Sequence, residues 1–255
     1  LKPEKRNLIF IFDLKKYIHL LEKTDEFLTA SEKEKAKEFI SPLNEYKLLS
    51  QIIRRLILSF FLDCPPQEIT YKYQEKGKPI LDNDNLFFNI SHSKNYMAMA
   101  LSINNDIGID IEALAYIPKL NSFLNTYLNP DEKAKFKKEF SNNKEYYAYT
   151  YWTMKEAYLK GRALGLDFDM KRISLVNASN LQQDSLMFAC KVDGVLDKKS
   201  YTTILKINDE KELMCAVSLR SNEAFNIGQN QIIQFLNPQL SKAYIFTKLN
   251  KNVEE

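Results

Sequence analysis

Glycine is scarce in this chain, with six residues in 255. None falls into GxGxxG or GxxxxGK[ST], which removes the dinucleotide fingerprint and the P-loop. Histidine is scarcer still: His19 and His92 are the only two, too few for a multi-histidine metal site. Cys64, Cys190 and Cys215 are odd in number and far apart, with no CxxC pair, so neither a zinc site nor a disulfide framework is indicated. The default setting is then reducing and cytoplasmic. No GxSxG elbow is present. The net charge is only +3, without the basic excess of a nucleic-acid binder, so no nucleic-acid partner is expected. No apolar run approaches the roughly 20 residues that span a bilayer. LIFIF at 8–12 is too short for a signal segment and reads as a strand, so no membrane partner is expected either. What remains is an ordinary globular composition, 45% hydrophobic and 27% charged, long enough for one large domain or two small ones.

The chain repeats itself weakly. EKAK occurs at 34–37 and again at 132–135. EYKLLSQIIRRLIL follows the first from 45, and EYYAYTYWTMKEAYL follows the second from 145. MAMALS at 97–102 has a counterpart in MCAVSL at 214–219. An offset of about 100 to 117 residues is too long for a solenoid. The alternative is chance likeness between lysine-rich helices. The reading adopted is α+β, with two similar α/β halves related by a pseudo-twofold. Residues 1–105 form the first half, 106–222 the second, and 223–255 an extension to which no role is assigned. The cleft between the halves is the expected site.

Hydrophobic patterning predicts strands at 7–12, 69–73, 86–91 and 96–103, with helices after Ser31 and at about 44–61. Ser31 and Glu34 have the spacing of a capping box. The second half reads as a strand at 107–112, helices near 121–126, 130–140 and 143–162, and strands near 172–177, 185–193, 202–207 and 213–219.

Three stretches carry chemistry. In IGIDIE, 107–112, strand alternation places Asp110 and Glu112 on one face and the isoleucines on the other. Two carboxylates side by side suit a hard cation such as Mg²⁺, although a solvated strand face has the same pattern. In WTMKEAYLK, 152–160, Glu156 and Lys160 stand one turn apart in a helix apolar nearly all round. They are either a surface i,i+4 pair or a polar pair facing an interior cleft. In FNISHS, 88–93, Ser91 and His92 lie near a strand end, where hydroxyl, imidazole and backbone N–H can meet a phosphate. Upstream, GKP at 77–79 holds Lys78 in a turn. Three carboxylates, several lysines and no activated nucleophile suit a phosphate-containing substrate.

The order GKP, FNISHS, IGIDIE, WTMKEAYLK and ALGL (163–166) resembles the 4′-phosphopantetheinyl transferases, over about residues 5 to 220. The likeness is to their larger, two-half class, the surfactin-synthetase-activating type. It implies transfer of the phosphopantetheine arm of coenzyme A to a serine of an apo acyl or peptidyl carrier protein, with release of 3′,5′-ADP, by a monomer of pseudo-dimeric fold. It also implies Mg²⁺, with Mn²⁺ able to substitute, held by Asp110, Glu112 and Glu156. Glu156 and Lys160 would be catalytic. Lys35, Lys78, Ser91, His92, Lys155 and Lys160 would bind coenzyme A, with Lys35 near the 3′-phosphate. Glu32 stands where another family lysine can occur, and Lys47, Arg54 and Arg55 are further cations without an assigned role. A metal-dependent phosphodiesterase or nuclease, and a non-catalytic binder of coenzyme A or carrier proteins, are the competing readings.

Overall fold

The computed structural model of the chain describes residues 6–82, 86–103, 105–139, 143–165, 167–177, 187–205, 213–220 and 232–236. The first strand, β1 (Arg6–Asp13), is apolar on both faces because both are covered. Leu8, Phe10 and Phe12 join one hydrophobic cluster, while Ile9 and Ile11 join another. A 3-10 stretch, Leu14–Lys23, follows and was not legible as an element in the sequence.

Helices α1 (Thr24–Phe27), α2 (Ala30–Ala36) and α3 (Leu43–Leu62) come next. The capping box of α2 uses Thr29 and Glu32 rather than Ser31 and Glu34. Glu32 N–H donates to Thr29 Oγ1 at 3.3 Å, and Thr29 N–H donates to Glu32 Oε2 at 3.0 Å. The reason for the shift is that Glu32 is also fixed from α3, by Arg54 and Arg55. Asp63, in the left-handed region at φ 54°, ends α3 before Cys64-Pro65-Pro66.

Strands β2 (Tyr71–Tyr73) and β3 (Pro79–Leu81) form a small hairpin whose turn holds Gly77 at φ 81°. Then come β4 (Leu86–Ser93), β5 (Tyr96–Ile103) and β6 (Asp106–Ala113). Helices α4 (Leu120–Tyr127), α5 (Pro130–Glu139) and α6 (Lys144–Arg162) precede β7 (Ile173–Asn177), β8 (Met187–Val192), β9 (Val195–Leu205) and β10 (Leu213–Arg220). Strand β9 begins well before the expected 202, since the turn at Asp193-Gly194 makes β8 and β9 one hairpin. A last strand, β11 (Ile232–Leu236), lies parallel to β1 in the stretch to which the sequence assigned no element.

Among the described residues two larger sheets result beside the small β2–β3 sheet, and the protein is α+β with two sheet-containing halves. The first has the order β11-β1-β5-β4, the second β6-β10-β9-β8-β7. Leu49, Ile52, Ile53 and Leu56 of α3 cluster with Leu8, Phe10, Phe88 and Met99 of the first sheet. Met154 and Ala157 of α6 pack on Ala216 of the second. Between the sheets lies a shared cluster in which Ile9, Ile11 and Ala98 meet Ile107, Ile109, Ile111 and Val217. The isoleucines of IGIDIE are therefore core, as alternation requires, and the carboxylates look the other way.

Helix α6 approaches β6 at a pair of glycines. A Cβ on Gly108 would lie 2.1 Å from the carbonyl oxygen of Ala157 and 2.2 Å from the nitrogen of Gly161. Absence of a side chain there allows the helix carrying Glu156 and Lys160 to lie against the strand carrying Asp110 and Glu112.

Candidate active site

The seam between the halves is made by side chains of β4 reaching β6. Asn89, Ser91 and Ser93 alternate along one face of β4. Asn89 Oδ1 accepts from Ile109 N–H at 2.9 Å. Ser91 Oγ donates to Asp110 Oδ1 at 2.7 Å, and Ser93 Oγ donates to Glu112 Oε2 at 2.8 Å. Alternation also separates neighbours within FNISHS. His92 points the other way, toward α3, where its Nε2 lies 2.6 Å from Ser50 Oγ.

From α6, Lys160 Nζ donates to Asp110 Oδ1 at 2.6 Å and to Ser91 Oγ at 2.8 Å. Glu156 is 5% exposed, so the surface i,i+4 reading of the Glu156–Lys160 pair does not hold. Burial, and then the nearby Asp110 and Glu112 charges, push the Glu156 pKa up to about 7 against the pull of Lys160. Burial likewise raises Asp110, against Lys160 and Ser91, and raises Glu112, to which the Asp110 charge adds. Among the described residues, Asp110, Glu112 and Glu156 thus feel one another's charge in a poorly hydrated region, with the Lys160 ammonium bonded to Asp110.

Cations gather on the α3 side. Crowding by protein, then the charges of Lys47, Lys160 and Arg54, push the His92 pKa down to about 4, although the residue is solvent-exposed. Lys47 is itself lowered by burial and by Arg54 and Lys35. Lys35 is exposed on α2, on the approach to this group. Arg54 is tied to Glu32 at 3.0 Å and stacks on the Tyr71 ring at 4.3 Å. Arg55 is spent on Glu32 and on the carbonyls of Pro66 and Ile69. Lys78 donates to the Ile107 carbonyl at 3.1 Å, beside Asp106, and its pKa is lowered by burial.

One expected site residue is elsewhere. Lys155 is fully buried, and its ammonium donates to the Tyr127 carbonyl at 2.8 Å, Glu132 at 2.6 Å and the Met170 carbonyl at 3.1 Å. All three of its protons are used, so it braces α5 against α6 and does not meet the other site residues. Glu132 is equally committed, capping α5 with Asn129 and accepting from Leu175 N–H. A helical wheel carries the signal: Trp152, Glu156 and Lys160 form one stripe, and Lys155 lies about 100° off it. Sequence reasoning also passed over Ser93 and the indole of Trp152, which donates to Glu112 Oε1 at 3.1 Å.

The donor set fits a hard divalent cation. Asp110 Oδ2 is buried and has no hydrogen-bond partner among the described residues, and every nearby acidic donor is a carboxylate oxygen. As the side chains stand, no three of the described His, Cys, Asp or Glu residues converge on one point that could hold a metal.

Comparison with known proteins now bears on this geometry. Residues 106–201 match the model of the 4′-phosphopantetheinyl transferase superfamily, and residues 19–104 match the model of the 4′-phosphopantetheinyl transferase N-terminal segment. The chain belongs to the 4′-phosphopantetheinyl transferases. Among relatives of this chain, the 4′-phosphopantetheinyl transferase HetI of Nostoc sp. is 32% identical over 144 residues, 54% of this chain and 61% of that protein. The 4′-phosphopantetheinyl transferase gsp of Aneurinibacillus migulanus is 31% identical over 138 residues, 52% and 56% respectively. The phosphopantetheinyl transferase of Thraustochytrium sp. is 26% identical over 207 residues, 74% and 70%. The chain spans 61% of the length of its Nostoc and Synechocystis relatives. Matches to both an N-terminal and a superfamily model, together with the two sheet-containing halves, put the chain with the two-half, surfactin-synthetase-activating type of the family.

Proposed function

We propose that this chain transfers 4′-phosphopantetheine from coenzyme A to a serine hydroxyl of an apo acyl or peptidyl carrier protein, releasing 3′,5′-ADP. The observation that carries the reading is the meeting of Asp110, Glu112, Glu156 and Lys160 at the seam, flanked by His92, Lys47 and Arg54. A pyrophosphate lying along the seam has carboxylates on one side and cations on the other.

The carrier serine oxygen bonds to the β-phosphorus, and the bond from that phosphorus to the bridging oxygen breaks toward 3′,5′-ADP. Glu156, or a water it positions, takes the serine proton. Without a bound cation, burial and the neighbouring carboxylates raise Glu156 to about 7, which marks it as a readily protonated group beside the seam. Lys160, on a flexible stem, follows the charge that gathers on the departing oxygen. His92 orients the phosphates as a neutral hydrogen-bonding group at pH 7, while Ser91, its hydrogen given to Asp110, holds that carboxylate in place. Lys35 and Lys47 suit the 3′-phosphate, and Lys78 the nucleotide end. Asp110, Glu112 and Glu156 would hold Mg²⁺, or Mn²⁺ in its place, which when bound neutralises pyrophosphate charge.

In this reading the chain acts as a monomer in the cytoplasm, with neither nucleic acid nor a membrane as partner. No described helix is long and apolar enough to cross a membrane. The test is mass spectrometry of apo carrier proteins after incubation with coenzyme A and Mg²⁺. A gain of one phosphopantetheine group supports the reading. Unchanged carriers, with cleavage of a nucleic-acid or phosphodiester substrate instead, would replace it with the hydrolase reading.

A further inference from the structure

Asp110 and Glu112 leave the same face of β6, yet their surroundings differ. Among the described residues, Asp110 keeps one buried oxygen without a hydrogen-bond partner. Glu112 has a neutral donor on each oxygen: Ser93 Oγ on Oε2 at 2.8 Å and Trp152 Nε1 on Oε1 at 3.1 Å. The Ser93 hydroxyl is not free to turn away. Its oxygen accepts from Ala113 N–H at 3.0 Å, which commits its hydrogen to Glu112. The Trp152 indole is held in turn by Phe123 and Tyr127, at ring-centroid distances of 5.2 and 5.4 Å. One donor comes from β4 and the other from α6, so the first and second halves grip the same carboxylate.

We propose that Ser93 and Trp152 are positioning residues for Glu112, one from each half, which fix its carboxylate before a divalent cation binds. The inference rests on the metal reading of the preceding section, but not on the identity of the acceptor protein. Neutral donors suit the role because they orient the carboxylate without cancelling its charge, as a lysine would. Partners of this kind characteristically set metal affinity by 10–100-fold. Trp152 is the one tryptophan in the chain. Its indole N–H bond to Glu112 therefore makes intrinsic fluorescence a direct reporter of what Glu112 does.

The experiment is Mn²⁺ binding to the whole chain with coenzyme A present, followed by calorimetry and by tryptophan emission. Ser93→Ala and Trp152→Phe should each weaken Mn²⁺ about 10–100-fold, while kcat at saturating metal stays within about threefold. Ser93→Thr should restore binding. In a Glu112→Gln background Ser93→Ala should add nothing, because its effect runs through that carboxylate. The emission change on adding Mn²⁺ should vanish in Glu112→Gln. Circular dichroism checks that Trp152→Phe has folded, and Ser93→Ala decides the matter if it has not. Mn²⁺ affinity within twofold of wild type for Ser93→Ala, or a full further loss in Glu112→Gln, overturns the inference. Absence of Mn²⁺ binding in the wild type overturns it together with the metal site. Binding as described, with no transfer to any carrier, sustains it and removes only the transfer reading.

Discussion

Lys160 Nζ stands 2.6 Å from Asp110 Oδ1, so the ammonium from α6 neutralises a carboxylate on β6 across the interior of the second half. Lys160→Ala removes the cation that would follow pyrophosphate charge. We expect a loss of about 10²–10³ in kcat, typical of deleting one charge-stabilising donor, with a smaller change in the KM for coenzyme A. Steady-state kinetics on carrier modification measures both. Near-normal turnover in a folded variant would leave Lys160 a structural partner of Asp110 and nothing more.

The pH dependence of stability follows from two opposed groups. Glu156 is raised from 4.5 to about 7 in the fold, so its contribution is complete below pH 4.5 and is lost as pH climbs through about 7. Asp110 and Glu112, also raised, act in the same direction. His92 is lowered from 6.5 to about 4, so its contribution is complete above 6.5 and is lost as pH falls toward 4. Thermal melts in chelator should therefore show a weaker fall of Tm with rising pH for Glu156→Gln and a steeper fall for His92→Gln. Mg²⁺ should raise the wild-type Tm more at pH 8 than at pH 5.5. Equal slopes in all three proteins would contradict the shifts.

Lys155→Ala distinguishes a brace from a ligand. It leaves Glu132 buried without its cation, and the expected cost is about 3–5 kcal/mol of stability. At a temperature where the variant remains folded, the KM for coenzyme A should match wild type. A raised KM without destabilisation would return Lys155 to the binding residues.

Gly108→Ala tests the approach of α6 to β6. The added methyl meets backbone, at 2.1 Å from the Ala157 carbonyl, so no side chain can swing aside. The cost should reach at least the roughly 1–3 kcal/mol of an overpacked core, and activity should fall because Glu156 and Lys160 move relative to Asp110. Gly161→Ala meets its nearest atom at 3.3 Å and should be milder in both assays.

Much of the site was legible in the sequence, for geometric reasons. Alternation in IGIDIE placed Asp110 and Glu112 together, and the four-residue step in WTMKEAYLK placed Glu156 with Lys160. Both are local periodicities that folding does not alter. What the sequence could not show depends on partners far along the chain. Arg54 reads as a spare cation until Glu32, 22 residues away, is seen to hold it. Ser93 looks like a strand-end residue until β6 is laid beside β4. Strand β11 is an apolar run too short to be told from loop by itself, and its partner β1 lies more than 200 residues away in the chain. Lys155 shows the opposite error, since a motif spells out adjacency in sequence while the helix turns adjacent residues to different sides.

The seam of Asn89, Ser91 and Ser93 joins the halves through side chains rather than through a continuous backbone ladder. Two of these three residues, Ser91 and Ser93, also donate to the acidic groups of the site. In the proposed reading, docking of the halves and arrangement of the acidic site are coupled: a loosely docked pair would keep every side chain of the site and yet lose its arrangement. Three short side chains, Asn89, Ser91 and Ser93, therefore set how the two halves meet at this strip, in addition to the hydrophobic cluster they share.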